Sequence, residues 1–200
     1  SHHIFGLAFS PDGTMLASCG RHSARLWDVA SGNQLLAIPV SNTLPGIAFA
    51  RDGQQLAVAA IAAHGGPSGV FLHRTGYGDG VHCFRGLGGA VHRVWFSEKR
   101  EFLAALSADW RVGIWEASTG KLLHVLAVGP DFFTDNADLT FSPNALKLAF
   151  SSGDRATLWN VRDGTCEETW ELPPGLGDRI RFCGEDNLLL FRFETEDKQA

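Results

Sequence analysis

Residues 9–16 read FSPDGTML, an aromatic residue followed by a turn and then by a leucine seven positions after the aromatic. The same spacing recurs four more times along the chain. The five copies run from Phe9 to Leu16, Phe49 to Leu56, Phe96 to Leu103, Phe141 to Leu148 and Phe182 to Leu189. Their starts lie 40, 47, 45 and 41 residues apart by subtraction of the residue numbers. A period of this length indicates that one supersecondary unit is repeated along the chain.

Turn residues follow the aromatic in most copies. Three of the turns combine residues that preset φ, form hydrogen bonds with their own backbone or accept positive φ. They are Ser10-Pro11-Asp12-Gly13, Ala50-Arg51-Asp52-Gly53 and Ser142-Pro143-Asn144-Ala145. Ser97-Glu98-Lys99-Arg100 has weaker turn chemistry. Each copy is therefore predicted to contain a hairpin, and the run after each turn alternates with β periodicity from its leucine onward.

A third run in each repeat ends on a large aromatic, and a glycine five residues further on predicts a second hairpin. These aromatics are Trp27, Phe71, Trp115 and Trp159. A fourth run follows, so each repeat holds four short strands without any long helical period. This pattern is typical of a β-propeller blade, and the chain is predicted to be all-β with about four and a half four-stranded antiparallel blades.

The third runs also carry a family resemblance. Three of these runs resemble the segment that carries the name-giving dipeptide of the Trp-Asp (WD) repeat family. They are Leu26-Trp27-Asp28-Val29, Ile114-Trp115-Glu116-Ala117 and Leu158-Trp159-Asn160-Val161, and only the first keeps the Asp. Phe71-Leu72 is read as the degenerate copy, and the resemblance extends from about Ile4 to Phe193. It implies a propeller that binds protein partners.

The family also has a His–Ser–Asp–Trp network of hydrogen bonds that ties loops to strands. The third repeat approaches it with Ser107, Asp109 and Trp115, but Leu87 stands where the His is expected. The network is therefore predicted to be broken in this chain.

The length of 200 residues is short for the family, which usually closes with seven blades of ~40–45 residues each. We expect a segment of a longer protein that forms an open arc or incomplete ring. A small ring of four or five blades is the alternative. The predicted organisation is a propeller segment over 1–193 and a polar tail over 194–200. Its repeats span about 1–39, 40–86, 87–127 and 128–173, with a partial repeat over 174–193.

Composition narrows the class of partner. The chain is 44% hydrophobic and 20% charged, with a net charge of −5 and a pI near 5.9. No basic stripe stands out to neutralise phosphates, and no apolar run approaches the ~18 residues of a membrane span. We therefore expect no nucleic-acid and no membrane partner. The four cysteines lack CxxC spacing, which favours a reducing, cytoplasmic location.

No catalytic or metal motif is found. The histidines form no HxxxH or HExxH pair, and the chain has no nucleophile elbow or phosphate loop. Asp131, Asp135 and Asp138 are placed together in one long loop, where solvated carboxylates are favoured over a cation site. The prediction is a protein that is not an enzyme and that holds no cofactor.

Partner binding is easier to place, because propeller loops converge on one face. Aromatic residues and arginine are the commonest energetic anchors of interfaces. The alternative for Phe132 and Phe133 is that they fold back and fill a gap in the ring. The candidate partner-binding residues are Arg21, His22, His64, Trp110, Arg111, Phe132 and Phe133.

Two functional classes follow. The first is a non-catalytic protein–protein interaction scaffold that forms part of a larger signalling or regulatory protein. Its expected partners are a protein or peptide and the remaining blades of the parent protein. The second is a propeller enzyme or small-ligand binder that uses the central channel. That class usually points His or carboxylate side chains inward from the first strands, which here are mostly apolar.

Overall fold

The computed structural model describes residues 3–39, 41–61, 68–76, 80–99, 101–129, 137–173, 179–184 and 187–191. Within these residues the chain forms eighteen β-strands and no helix, which confirms the predicted all-β class. The chain divides into two compact units, Ser1–Val128 and Gly129–Ala200.

The first unit contains three antiparallel sheets of four strands, and the strands of each sheet lie side by side in sequence order. Sheet 1 is formed by β1 (Ile4–Phe9), β2 (Met15–Gly20), β3 (Ser23–Asp28) and β4 (Gln34–Pro39). Sheet 2 is formed by β5 (Ser41–Phe49), β6 (Gln55–Ile61), β7 (Ser68–Arg74) and β8 (Gly80–Phe84). Sheet 3 is formed by β9 (Val91–Phe96), β10 (Phe102–Ser107), β11 (Arg111–Glu116) and β12 (Leu122–Ala127).

The second unit contains one further four-stranded sheet and a two-stranded sheet. Sheet 4 is formed by β13 (Asp138–Phe141), β14 (Lys147–Ser152), β15 (Arg155–Asn160) and β16 (Cys166–Glu171). Sheet 5 is formed by β17 (Arg179–Phe182) and β18 (Leu188–Phe191). The two units thus hold the predicted sequence-consecutive groups of antiparallel strands.

A buried serine shapes the first turn of sheets 1, 3 and 4. The Ser10 hydroxyl donates to the Asp12 carboxylate at 2.6 Å and accepts the Met15 N–H at 2.9 Å. Ser142 accepts the Lys147 N–H in the same way, and Ser97 accepts the Phe102 N–H at 3.0 Å. The serine therefore supports the Ser97 turn, where the sequence has weak turn chemistry.

The strand register corrects one predicted equivalence. Trp27 pairs with Leu16, Trp115 with Leu103 and Trp159 with Leu148, but in sheet 2 the residue opposite Leu56 is His73. A bulge precedes His73 in the β7–β8 ladder, as it precedes each of the three tryptophans. Phe71 lies two residues earlier, opposite Val58, so the prediction that it replaces the tryptophan was wrong. The β6–β7 ladder has one more residue pair than the β2–β3 ladder of sheet 1. The residue that corresponds to Trp27 therefore lies two positions beyond Phe71.

Neighbouring sheets of the first unit pack face to face, and their closest approach is between first strands. Sheets 1 and 2 enclose an apolar cluster that includes Leu26 and Leu56, and sheets 2 and 3 enclose another. In the second cluster the Trp115 ring meets Phe84 edge-to-face, with ring centroids 5.9 Å apart. Close first strands and open outer strands are expected of propeller blades.

The remaining face of sheet 1 is exposed. Leu7 and Phe9 are 61% and 63% exposed, whereas Val94, which corresponds to Leu7 in the β9–β10 ladder, is 6% exposed. Val94 belongs to the face of sheet 3 that packs on sheet 2. Sheet 1 therefore presents an apolar surface of the kind that covers a neighbouring sheet elsewhere in this unit. We call Leu7, Phe9 and Trp27 the outer face of sheet 1.

In the second unit, sheet 5 covers part of sheet 4. Ile180 of β17 is fully buried against Ala149, Ala156 and Leu158. Trp170 and Leu172 lie at the border of this cluster and are only partly buried. The two strands of sheet 5 thus cover the inner strands of sheet 4 more completely than the outer one.

Candidate functional site

The turn between β10 and β11 has an unusual backbone. It consists of residues 108–110, a three-residue hairpin loop whose last residue is usually a left-handed glycine. Trp110 occupies that position with φ of 61°. A side chain in this conformation costs roughly 1–2 kcal/mol relative to the ordinary helical or extended regions. Such strain often marks functional sites, where surrounding contacts maintain it.

Several contacts hold the Trp110 turn in place. The Ser107 hydroxyl donates to the Asp109 carboxylate, and the Trp110 N–H donates to the Ser107 carbonyl at 3.1 Å. The Trp110 carbonyl accepts the Val128 N–H at 3.1 Å. The turn is therefore anchored by β10 on one side and by the end of sheet 3 on the other.

A glycine segment packs beneath the same turn. The Ala108 N–H donates to the Ala90 carbonyl at 2.8 Å. A Cβ at Gly89 would lie 2.9 Å from the Asp109 nitrogen and 3.1 Å from its Oδ1, and one at Gly88 would lie 3.0 Å from its Oδ2. Only residues without a side chain allow this close approach. Asp109 thus supports the turn from below, while Trp110 and Arg111 are available at the surface.

The predicted partner-binding residues of the first unit lie in corresponding turns. Trp110 is partly buried, and the side chain of Arg111 is 54% exposed with its Nε 3.7 Å from Asp109 Oδ2. Arg21 and His22 form the β2–β3 turn of sheet 1 and are exposed. The β5–β6 turn approaches the β1–β2 turn at Gly53 and is joined to the β9–β10 turn by the Arg51–Glu98 ion pair. The first turns of the three sheets therefore lie at one end, and the second-to-third-strand turns lie at the other.

The other candidates cannot be placed with them. His64 lies between β6 and β7 in the sequence but outside the described residues, as do Phe132 and Phe133. The candidate site therefore consists of the Trp110 turn with its flanking residues Ser107 and Arg111, and of the Arg21–His22 turn. Sequence reasoning selected Trp110 for its aromatic side chain and missed its left-handed backbone. The signal was a three-residue loop that contains neither Gly nor Asn.

The family's hydrogen-bond network is incomplete, as predicted. Its Ser107–Asp109 bond forms, but the Trp115 indole donates to the Arg85 carbonyl at 3.0 Å. In sheet 1 the Trp27 indole donates to the Ser18 hydroxyl at 2.9 Å. The tryptophans are therefore tied to different partners in different sheets.

Asp138 does not lie in the acidic loop to which the sequence assigned it. It is the first residue of β13, is 3% exposed, accepts the Ile180 N–H at 3.2 Å and forms an ion pair with Arg181. The other two members of the proposed group, Asp131 and Asp135, lie outside the described residues. Asp138 is thus a carboxylate on a first strand, but its contacts are those of a structural link between sheets 4 and 5.

The described residues contain no group of three or more His, Cys, Asp and Glu side chains that could hold a metal ion. In the same part of the chain no helix has the length and apolar character needed to cross a bilayer. All four cysteines are described, and no disulfide joins them. Burial raises the pKa of the Cys19 thiol to about 11, so this thiol is a poor nucleophile near neutral pH.

Comparison with known proteins connects this fold to a family. A family model described as WD domain, G-beta repeat, matches residues 1–28. Eukaryotic translation initiation factor 3 subunit I of Aspergillus terreus is 29% identical over 107 residues, which are 50% of this chain and 29% of the relative. The same subunit of Emericella nidulans is 27% identical over 104 residues, with the same coverage. The matched segment therefore spans less than a third of each relative.

The matched model covers the first three strands of sheet 1, where Trp27 and Asp28 form the one complete dipeptide. The shared bulge before the Trp position extends the same plan to sheets 2, 3 and 4. The matched repeat and the repeated sheets confirm the resemblance of this chain to the WD-repeat family.

Proposed function

We propose that this chain is a non-catalytic protein-interaction scaffold and that the Trp110 turn contacts its protein partner. The observation that carries the proposal is the left-handed Trp110, because a costly backbone conformation is retained under an accessible aromatic side chain. Arg111 beside it adds a second residue type that is enriched among interface anchors. Arg21 and His22 extend the surface along the same end of the sheets.

The relatives direct this proposal to one kind of assembly. Their name records a subunit of a translation initiation factor, which is a component of a larger complex. We extend this role to the present chain and propose a translation-related assembly in the cytoplasm, in place of the signalling role expected from the sequence.

The test compares proteins that co-purify with three forms of the tagged chain, expressed in the organism that encodes it. The forms are the wild type, Trp110→Ala and Lys99→Ala. Lys99 lies in the exposed β9–β10 turn at the opposite end of sheet 3, so its variant is the matched control. Quantitative mass spectrometry measures the recovery of each partner.

We expect Trp110→Ala to weaken binding by about 2 kcal/mol or more, which is roughly 30-fold in affinity, while Lys99→Ala has little effect. Translation initiation components among the lost proteins would support the assignment to that process. If Trp110→Ala retained every partner of the wild type, the Trp110 turn would not be the contact surface. If the lost partners had no connection to translation, the scaffold role would stand and the translation role would fall.

A further inference from the structure

The charged side chains of the first unit are divided between the two ends of its sheets. The first and third turns of each sheet lie at one end, and the second turns, which include the Trp110 turn, lie at the other. Among the described residues of this unit, Asp109 is the one carboxylate at the Trp110 end. The carboxylates at the opposite end are Asp12, Asp28, Asp52, Glu98, Glu101 and Glu116.

Four arginines lie at the Trp110 end, although they are widely spaced in the sequence. Arg21 belongs to the β2–β3 turn, and Arg111 is the first residue of β11. Arg85 follows β8, and Arg93 of β9 pairs with Leu106 near the end of β10. Because neighbouring strands are antiparallel, β8 ends and β9 begins at the same end as the β10–β11 turn. The fold thus collects these guanidinium groups, and we call Arg21, Arg85, Arg93 and Arg111 the basic end.

The positive charge of the basic end is only partly offset by its surroundings. A guanidinium group stays protonated in proteins, and one carboxylate cannot offset four of them. That carboxylate, Asp109, lies 3.7 Å from the Arg111 Nε, and the Arg85 Nε donates to the Cys83 sulfur at 3.3 Å. In the sequence, the residues between β4 and β5 and between β6 and β7 add no Asp or Glu. The basic end therefore keeps positive charge for a partner.

The opposite end of the sheets has a different balance of charge. Its described cations are outnumbered by its carboxylates, and Arg51 forms an ion pair with Glu98. An acidic ligand is therefore attracted to the basic end and repelled by the other. The cations of the opposite end are Arg51, Arg74, Lys99 and Lys121.

The distribution of the arginines narrows the chemistry of the partner. They belong to three different sheets or their connections, so each can meet a separate charge along an extended chain. A phosphate group, in contrast, is usually held by arginines that converge on it. A nucleic acid is disfavoured, because domains that bind one usually have a pI above about 9, and this chain has a pI near 5.9. The carboxylates of a protein segment fit the basic end best.

We propose that the partner segment at the Trp110 end is extended and acidic, with carboxylates at Arg21, Arg85 and Arg111 and an apolar side chain against Trp110. This inference rests on the proposed function, since it names the chemistry of the partner at the same surface. Packed sheets lie ~10 Å apart, so about six residues of extended chain reach from sheet 1 to sheet 3.

The probe is a labelled peptide with the sequence EDFEDLED, which combines carboxylates with two apolar side chains. Its control is QNFQNLQN, in which an amide of nearly the same shape replaces every carboxylate. Fluorescence anisotropy measures the affinity of both peptides for the full chain, and a labelled octauridylate serves as the nucleic-acid probe. The protein variant is Arg21→Glu combined with Arg85→Glu, because both side chains are exposed.

The matched control is Arg74→Glu combined with Lys99→Glu. Both residues are exposed at the opposite end of the sheets, so this control changes the net charge of the chain by the same amount. A difference between the two double variants therefore reports where the charge lies. Trp110→Ala is measured in parallel to test the turn itself.

We expect the wild type to bind the acidic peptide about tenfold or more tightly than the amide peptide. The Arg21→Glu, Arg85→Glu variant should lose about tenfold in affinity for the acidic peptide, because two attractive contacts become repulsive. The Arg74→Glu, Lys99→Glu variant should stay within about twofold of the wild type. Added salt should weaken binding of the acidic peptide and leave that of the amide peptide unchanged.

The inference is overturned if the two peptides bind equally, or if both double variants have the same affinity for the acidic peptide. It is also overturned if octauridylate binds more tightly than the acidic peptide and is released by the Arg21→Glu, Arg85→Glu variant, because a nucleic acid would then be the occupant. Failure of the proposed function gives a different result. Trp110→Ala would then keep the affinity that the arginine variant loses, which retains the acidic ligand of the basic end and removes the Trp110 contact.

Discussion

Trp110 lies where a hairpin of three residues ordinarily has glycine, and its neighbours hold it there. We predict that Trp110→Gly stabilises the first unit by roughly 1 kcal/mol, because the cost of a left-handed side chain exceeds the added entropy of glycine in the unfolded chain. Trp110→Ala keeps the left-handed backbone strain and should therefore not be more stable than the wild type. Urea denaturation of the three proteins measures the difference.

Ala145 provides the control for this prediction. It is the other non-glycine residue with a left-handed backbone in the described part of the chain, with φ of 59°, and it occupies the turn position held by Gly13 in sheet 1. Ala145→Gly should stabilise by a similar amount without any effect on partner binding. A loss of stability in Trp110→Gly would mean that the indole contributes more by packing than the backbone costs.

Gly113 makes room for Trp115. A Cβ at Gly113 would lie 2.3–2.8 Å from three carbons of the Trp115 ring, which is 1% exposed and cannot move aside. We predict that Gly113→Ala destabilises by about 1–3 kcal/mol, as overpacking of a core does. Gly76→Ala is the control, because nothing lies within 4 Å of its added Cβ. Equal denaturation midpoints for the two variants would show that the ring is loosely packed.

The Asp12 carboxylate accepts hydrogen bonds from the Ser10 hydroxyl and from the N–H and hydroxyl of Thr14, and these lower its pKa below 3.8. A lowered pKa in the folded state means that the contribution to stability is present above the unfolded pKa and is lost as pH falls through the folded one. Ser10→Ala removes the largest cause, so the Asp12 pKa should rise toward 3.8. A carboxyl NMR titration measures it.

Asp28 supplies a control for that titration. Its pKa is also lowered, by bonds from the hydroxyl and N–H of Ser31, and it shares no bond with Ser10. Its titration should be the same in the Ser10→Ala variant. If the Asp12 pKa also stayed where it is in the wild type, the bonds from Thr14 would be sufficient to lower it.

At the scale of strands, the sequence predicts the elements well and their register less well. Turn residues, leucine spacing and the later glycine place the first and last hairpins of the first four sheets, because these features act locally. His73 was missed because the residue that corresponds to the tryptophan is defined by its pairing with Leu56 across the ladder. The extra residue pair in the β6–β7 ladder cannot be recognised from spacing along the sequence. Asp138 was missed for a related reason, since its burial depends on Ile180 and Arg181, about forty residues away.

The Asp138 link between sheets 4 and 5 can be tested directly. Asp138→Ala would leave the Ile180 N–H without its acceptor, and we predict a loss of about 1–3 kcal/mol, as for other buried groups that lose a partner. Hydrogen exchange should accelerate at Ile180 and its β17 neighbours. Glu171→Ala, at an exposed carboxylate of β16, should leave that exchange unchanged. Unaltered protection of Ile180 in Asp138→Ala would show that apolar packing alone holds sheet 5.

At the scale of the molecule, the sequence repeats predict several similar sheets in succession. They do not predict which faces of those sheets are covered by a neighbour. Leu7 and Val94 hold the same place in their ladders, yet one is exposed and the other buried, because sheet 3 has a neighbour on that side within its unit. The candidate site shows the same limit. Residue types identified Trp110 and Arg111, whereas the backbone strain and the glycine packing beneath them emerged only from the fold.

The outer face of sheet 1 leads to a prediction for the whole chain. Exposed, contiguous apolar side chains on a sheet favour association, so the chain alone in solution should self-associate, as the incomplete ring expected from its sequence also predicts. Light scattering and sedimentation over a range of concentrations measure this. The double variant Leu7→Thr and Phe9→Thr keeps β propensity, removes apolar surface from residues that are more than three-fifths exposed, and should shift the chain toward monomer.

Leu146→Thr is the matched control, since Leu146 is an exposed leucine in a turn of the second unit and does not belong to the outer face of sheet 1. This variant should associate as the wild type does, because one apolar side chain in a turn offers no sheet surface to a second copy. A compact, cooperative monomer for the wild-type chain at all concentrations would contradict the prediction. It would instead favour the small closed ring, which is the alternative that the sequence leaves open.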